Sequence, residues 1–159
     1  MTMKFLYSVE REYPVPVQRT WQAWTNAAEL EKWYSPVFLK VIPGSATSEA
    51  VVGGTWAIAV DVSENGFNAY FWGKYSQVDT NLKIVHDLNY SQDELEFALR
   101  EPSPEAHRIE IDFTKTAGGT LVRFSQFGEM EKEQAEASRE GMESYFDNLE
   151  SYLSLGITD

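Results

Sequence analysis

The sequence contains no cysteine and only two histidines, His86 and His107, among its 159 residues. Without cysteine there is no disulfide, no thiolate metal site and no cysteine nucleophile. The HExxH, CxxC and EF-hand-like spacings that bring several metal ligands together are also missing. So is the GxSxG pattern of the commonest serine hydrolases. We therefore expect no metal, no cofactor and no catalytic residue that a motif identifies.

Basic residues are scarce as well. The chain has 13 Lys and Arg against 25 Asp and Glu, for a formal net charge of -12. Binding to nucleic acids and to anionic lipids depends on clustered Lys and Arg, so we expect neither partner. No apolar run reaches the length of a membrane span, and the first residues lack the apolar core of a signal peptide. The expected location is the cytoplasm.

Large aromatic side chains are abundant: 5 Trp, 8 Tyr and 9 Phe. A chain of this length can close one substantial core, and we predict a single domain over residues 1–159. The aromatic share exceeds what a compact core requires. Two interpretations remain open at this point: the rings fill a well-packed core, or some of them line a cavity.

Hydrophobic periodicity predicts the secondary structure. Apolar residues spaced by three and four over residues 131–155 indicate one long amphipathic helix with a charged opposite face. Two short helices are expected after the first strand, one opened by Pro16 and one over residues 27–33 with Asn26 as its N-cap. Residues 93–100 fit either a strand or a turn of helix. Strand patterns cover residues 4–13, 37–42, 55–62, 67–78, 82–90, 107–115 and 120–127.

This order of elements indicates an α+β fold, in which antiparallel strands are closed by a terminal helix. Several short motifs occur along the chain in the order of a known family. They are Pro16, Trp21 and Trp24-Thr25; Leu30, Trp33 and Pro36; Gly53-Gly54 and Trp56; Gly73; Gly118-Gly119-Thr120; and Gly141-Met142, Leu149 and Tyr152-Leu153.

On these motifs the chain resembles the START-like (SRPBCC) superfamily, and within it proteins similar to the activator of the ninety-kilodalton heat-shock chaperone ATPase. The resemblance implies a helix-grip fold, in which a curved antiparallel sheet wraps the C-terminal helix and leaves a cavity between them. It implies little about activity, because the superfamily includes lipid carriers, cyclases and co-chaperone domains. The family often has Trp after the glycine of the last helix, where this chain has Met142.

If sheet and helix enclose a cavity, its walls are aromatic. Apolar walls with a few hydroxyls and one imidazole suit a small, mostly apolar ligand. His86 lies among the apolar positions of its strand, which favours a hydrogen-bonded core histidine over a general base. The predicted cavity residues are Trp33, Trp56, Phe71, Tyr75, His86, Tyr90, Phe97, Phe113, Met142 and Phe146.

The main functional hypothesis is therefore binding of a small hydrophobic molecule without catalysis. The first alternative is an interaction module for a chaperone, which would use the acidic face of residues 131–150. The second alternative is an enzyme of the cyclase or hydratase kind, which would use His86 with a tyrosine in the same cavity.

Overall fold

The structure, a computed structural model, describes residues 3–155. The strands are β1 (Lys4–Tyr13), β2 (Lys40–Val41), β3 (Thr47–Ser48), β4 (Thr55–Val62), β5 (Phe67–Asp79), β6 (Lys83–Ser91), β7 (His107–Thr116) and β8 (Gly119–Gly128). The helices are α1 (Val17–Thr25), α2 (Ala27–Trp33), α3 (Glu94–Leu99) and α4 (Lys132–Leu155), and a single 3-10 turn covers Ser63–Asn65.

All strands belong to one antiparallel sheet with the order β1-β8-β7-β6-β5-β4-β2, and β3 pairs with β4 beside β2. Consecutive strands from β4 to β8 are neighbours, so short turns connect most of the sheet, as in a meander. The sheet curls into a half-barrel that receives α4 on its concave side. The predicted α+β helix-grip fold is confirmed.

The long helix α4 is held on the sheet by its apolar stripe. Met142, Phe146, Leu149 and Leu153 are buried, at the spacing that the sequence predicts. Most of the stability of such a helix comes from the packing of this face. Polar contacts add to the packing: the Tyr13 hydroxyl donates a hydrogen bond to the Phe146 carbonyl oxygen at 3.0 Å. Within residues 3–155, no helix is long and apolar enough to cross a bilayer.

The two short helices close one end of the core. Asn26 caps α2 as predicted, because its Oδ1 accepts a hydrogen bond from the Glu29 backbone N–H at 3.1 Å. The indole Nε1 of Trp33 donates to the Ala23 carbonyl at 2.9 Å, and its ring meets that of Trp24 edge-on at 4.6 Å. Buried indoles therefore join the two helices to each other.

Two segments differ from the sequence prediction. The strand predicted for residues 37–42 is reduced to Lys40–Val41, because a turn after Pro36 leaves Val37 and Phe38 exposed. The short strand at Thr47–Ser48 was not predicted, since two residues carry no detectable alternation. Residues 93–100, for which two interpretations were open, contain the helix α3.

Candidate functional site

A cleft of about 750 Å³ opens between the concave side of the sheet and the first half of α4. Residues of β1, β5, β6, β7 and β8 form the sheet side of the cleft, and residues of α4 form the helix side. A third side, which we call the lip, consists of α3 and residues 100–106, the connection to β7. The volume falls in the range of sites that hold small molecules.

The inner walls of the cleft are apolar. Phe71, Leu88 and Phe124 line it from the sheet, and Met142 lines it from α4. Gly141, the residue before Met142, also faces the cleft, and a Cβ added there would meet no heavy atom within 4 Å. A glycine in a helix interior costs about 0.5–1 kcal/mol relative to alanine. This glycine leaves the helix wall of the cleft open.

Two phenols form the inner end of the cleft: Tyr34, which is buried, and Tyr145, which is half-buried. The rings of Tyr34 and Tyr145 meet edge-on at 5.0 Å, and Tyr34 is only 5% exposed. Burial, and secondly the neighbouring phenol of Tyr145, raises the pKa of Tyr34 well above its ordinary value. Burial likewise raises the pKa of Tyr145. Both phenols therefore keep their protons, and among the described residues neither hydroxyl has a hydrogen-bond partner.

A chain of hydrogen bonds crosses the cleft wall from Tyr7 to His107. The Tyr7 hydroxyl donates to Gln126 Oε1 at 2.6 Å, and Gln126 Nε2 donates to His107 Nδ1 at 2.8 Å. Because Nδ1 accepts, we assign the ring hydrogen to Nε2, which lies 3.2 Å from the Glu129 carbonyl oxygen. The Tyr7 hydroxyl therefore donates its hydrogen to Gln126, and its oxygen lone pairs remain able to accept a hydrogen bond in the cleft.

The position of His107 depends on Gly128. A Cβ added at Gly128 would lie 2.4 Å from His107 Cδ2, so the imidazole occupies space that any larger residue would fill. Gly128 is the last residue of β8, and its neighbour Glu129 supplies the carbonyl oxygen that faces Nε2. Local backbone geometry therefore fixes both the place and the orientation of the ring.

The lip is anchored to the sheet by two hydrogen bonds. The indole Nε1 of Trp72 donates to the Glu101 carbonyl at 2.9 Å, and the Ser103 backbone N–H donates to Asn89 Oδ1 at 2.9 Å. Asp93 caps α3 by accepting from the Leu95 backbone N–H at 2.8 Å. These contacts hold the lip in one position over the cleft, beside the exposed ring of Tyr90.

Of the predicted cavity residues, Phe71, Tyr90 and Met142 line the cleft. The ring centroids of Phe71 and Tyr90 are 5.3 Å apart, and Tyr90 is 51% exposed. These two rings therefore form the outer part of the sheet wall, while Met142 faces them from the helix side.

The structure places the other predicted residues elsewhere. Trp33, Phe113 and Phe146 are fully buried in the main core. Phe97 lies on the other side of the sheet, where its ring packs 4.9 Å from that of Tyr70. Parity within a strand identifies inward-facing rings, but it does not show which of them other side chains cover.

Trp56, Tyr75 and His86 form a buried group of their own. The indole of Trp56 stacks on the His86 imidazole at 4.3 Å, and the Tyr75 hydroxyl lies 2.7 Å from Ser48 Oγ. His86 is 1% exposed, and its Nδ1 lies 2.8 Å from the Asp87 carbonyl oxygen. Burial lowers the pKa of His86 to about 4. His86 is therefore a neutral core histidine at physiological pH.

The sequence prediction omitted the polar residues of the cleft, although strand parity contains a signal for two of them. Thr120, Val122 and Phe124 share a face of β8, and continuing by two residues gives Gln126. The same rule along β7, from Ile109 backwards, gives His107. Two polar residues at inward positions near the same end of a sheet indicate a polar site.

No group of three or more His, Cys, Asp or Glu side chains within residues 3–155 is arranged to hold a metal ion. The hydrogen-bonded chain from Tyr7 to His107 is the arrangement in the cleft that most resembles a catalytic group. At its two ends, however, the Tyr7 hydroxyl and His107 Nε2 already form hydrogen bonds to Gln126 and the Glu129 carbonyl. The site is thus equipped to bind and orient a molecule through phenols, an amide and apolar walls.

Comparison with solved structures shows the same fold in several bacterial proteins. The AHSA1 protein from Silicibacter pomeroyi superposes with a TM-score of 0.78 at 17% identity, covering 94% of this chain and 98% of that one. A protein from Nitrosomonas europaea gives 0.76 at 18% identity, with 96% of each chain covered. A protein from Arthrobacter aurescens gives 0.75 at 22% identity, covering 92% and 84%.

Comparison with curated protein sequences gave no match. The family model described as "Activator of Hsp90 ATPase homolog 1-like protein" matches residues 14–154. That range runs from the end of β1 almost to the end of α4 and includes nearly all elements of the fold. The chain belongs to the family of activator of Hsp90 ATPase homolog 1-like proteins.

Proposed function

We propose that the protein binds a small, mostly apolar molecule in the cleft between the sheet and α4. The observation that carries this proposal is the inner end of the cleft, where apolar walls meet the phenols of Tyr34 and Tyr145, whose hydroxyls have no partner among the described residues. These hydroxyls border the cleft and can donate a hydrogen bond to a ligand that has one polar atom. Side chains that merely filled the grip would leave no such space.

The expected affinity follows from the area that a ligand would bury. A bicyclic aromatic molecule that loses about 250 Å² of apolar surface gains about 6 kcal/mol. This gain sets the tightest expected dissociation constant at about 40 μM, before the costs of association. We therefore expect dissociation constants between about 40 μM and the millimolar range.

Gly141 provides a sharp test. The neutral fluorescent probe N-phenyl-1-naphthylamine should bind the wild-type protein saturably, and bound ligand should raise the melting temperature by mass action. Gly141→Phe places a ring in the open space at the helix wall and should abolish binding. Gly141→Ala adds only a methyl group and should keep binding, while raising stability by about 0.5–1 kcal/mol.

Two results would contradict the proposal. One is no saturable binding of neutral apolar probes to a wild-type protein that melts cooperatively. The other is equal probe binding by wild type and Gly141→Phe, which would locate the probe outside the cleft. Circular dichroism of both variants serves as the control that α4 is intact.

A second candidate is a contact with a chaperone ATPase, which the description of the family model favours. The exposed face of α4 carries the carboxylates for such a contact, but several are already engaged. Glu143 and Asp147 bind the Arg11 guanidinium at 3.2 and 2.6 Å, and Glu136 binds Arg139 at 2.6 Å. This candidate predicts stimulation of the chaperone ATPase that Glu136→Lys weakens and Gly141→Phe leaves unchanged.

An enzyme that uses His86 as its base has less support. A general base works best when its pKa lies near the operating pH, and burial lowers the pKa of His86 to about 4. The ring also packs against Trp56 in the core. Retention of probe binding by His86→Gln would agree with a core role for this residue.

A further inference from the structure

We propose that the cleft selects ligands in which an apolar body carries a positively charged nitrogen, and that it disfavours carboxylates. This inference rests on the proposed function, because it concerns the charge of the molecule that the cleft binds. It comes from the rim of the cleft, defined here as the exposed side chains at its mouth. Four of these are carboxylates: Glu96, Glu101, Glu105 and Glu129.

The rim carries charge of one sign only. Among the described residues that line the cleft there is no Lys or Arg. None of the four carboxylates forms an ion pair with another residue in the part of the chain that the structure describes. Lys4 and Lys132 line a neighbouring pocket that shares Glu129 with the cleft, so the rim is least negative on that side. The negative field is therefore strongest at the lip, where Glu96, Glu101 and Glu105 lie, and a cleft with apolar walls concentrates it.

The nearest basic side chain in sequence is turned away from the rim. Arg100 lies between Glu96 and Glu101, yet its guanidinium stacks on the Phe97 ring at 4.3 Å. The same guanidinium donates to the Phe97 carbonyl oxygen at 2.6 Å. Phe97 is on the outer face of the sheet, so this contact draws the positive charge away from the cleft. The anchored lip keeps Glu101 and Ser103 in place beside it.

Two aromatic rings lie directly inside this rim. Phe71 and Tyr90 are paired across the neighbouring strands β5 and β6, and both line the cleft. The faces of such rings attract ammonium groups, and the attraction increases when the group is partly removed from water. Carboxylates outside and aromatic faces inside thus favour the same kind of ligand group, whereas a ligand carboxylate would meet repulsion from both.

The inner end supplies an independent indication that the cleft receives a ligand. Tyr34 is 5% exposed at the inner end, and its hydroxyl has no hydrogen-bond partner among residues 3–155. Next to it, Tyr7 presents oxygen lone pairs because its own proton is donated to Gln126. The Tyr34 hydroxyl can donate and the Tyr7 oxygen can accept a hydrogen bond, and the described residues supply no partner for either. A ligand could supply both, so the rim carboxylates surround the entrance to the proposed binding site.

The test uses three probes with the same ring system and different charge: the amine 1-naphthylmethylamine, the alcohol 1-naphthylmethanol and the carboxylate 1-naphthaleneacetate. Titration calorimetry at pH 7.5 and low salt should give the tightest binding for the amine and the weakest for the carboxylate. The amine should bind at least about tenfold more tightly than the carboxylate, since several partly solvated charges each add a small amount. Raising the salt from low to physiological concentration should reduce this ratio.

A matched pair of variants separates the rim from the overall charge. The rim variant changes four carboxylates at the mouth to amides: Glu96→Gln, Glu101→Gln, Glu105→Gln and Glu129→Gln. The control variant removes the same charge from exposed positions outside the cleft: Glu10→Gln, Glu12→Gln, Glu64→Gln and Glu140→Gln. The rim variant should lose most of the preference for the amine, and the control variant should keep it.

The outcomes distinguish this inference from the proposed function. If none of the three probes binds, the proposed function fails and this inference fails with it. If all three bind with equal affinity, or the carboxylate binds best, the cleft is a binding site but the inference is wrong. Equal loss of preference in the rim and control variants would also overturn it, because the net charge of the chain would then explain the selectivity.

Discussion

His86 should make the stability of the protein depend on pH in a defined window. Its imidazole is 1% exposed and stacks on Trp56 at 4.3 Å, so protonation would place a charge in the core. Burial lowers the pKa of His86 to about 4 in the folded protein, from an ordinary value of 6.5. Because the folded pKa is the lower one, the unfolded chain takes up the proton first as the pH falls. The resulting stability is complete above pH 6.5 and is lost between there and the folded pKa.

The magnitude follows from the difference between the two pKa values. One pKa unit corresponds to about 1.4 kcal/mol, so protonation of the unfolded state at pH 5 should remove about 2 kcal/mol of stability. By pH 4 the loss should approach about 3 kcal/mol. Carboxyl groups also titrate in this range, so a variant without the imidazole is needed to isolate the effect of His86.

Urea unfolding at pH 7.5 and pH 5.0 gives the required comparison. His86→Gln keeps every other titrating group, so its loss of stability on acidification should be smaller than that of wild type by about 2 kcal/mol. An imidazole NMR titration of the folded wild type should show a midpoint for His86 well below 6.5. Equal pH dependence in wild type and variant, or an ordinary midpoint in the titration, would refute the burial argument.

Three further results are expected. Phe146→Ala should lower the free energy of unfolding by about 3–5 kcal/mol in urea unfolding, because the ring is fully buried between α4 and the sheet; a change below about 1 kcal/mol would contradict this packing. Arg11→Gln should cost less than about 1 kcal/mol in the same assay, since its partners on α4 are largely exposed. A chain that ends before Glu131 should lose cooperative unfolding, and one sharp calorimetric transition in that truncated chain would count against the helix-grip arrangement.

The sequence predicted the fold well, for reasons that lie in local patterns. The helix α4 has a stripe long enough to give an unambiguous period, and Asn26 with Glu29 marks the start of α2. Strand alternation gave most of the sheet to within one or two residues. The strand predicted for residues 37–42 was too long, because backbone turns override a short apolar run and leave only Lys40–Val41 paired.

The cleft was harder to predict, because its lining depends on contacts between distant elements. Trp56 and Met142 both face inward. His86 covers Trp56, whereas Met142 borders the open space of the cleft. Local patterns carry no information about which partner fills a gap. The lip was not predictable either, since hydrogen bonds with the side chains of Trp72 and Asn89 determine where residues 101 and 103 lie.

Methyl NMR tests most directly the claim that the cleft is a ligand site. The chain has four methionines, of which Met130 and Met142 line the cleft and Met3 is exposed, beside the rim residues Glu105 and Glu129. With 13C-labelled methionine methyl groups, titration with 1-naphthylmethylamine should shift the Met142 and Met130 signals saturably and by more than that of Met3. Ring currents of a bound naphthalene would produce such shifts only at close range. Unchanged Met142 and Met130 signals at millimolar probe, or uniform shifts of all methionine signals, would contradict the account.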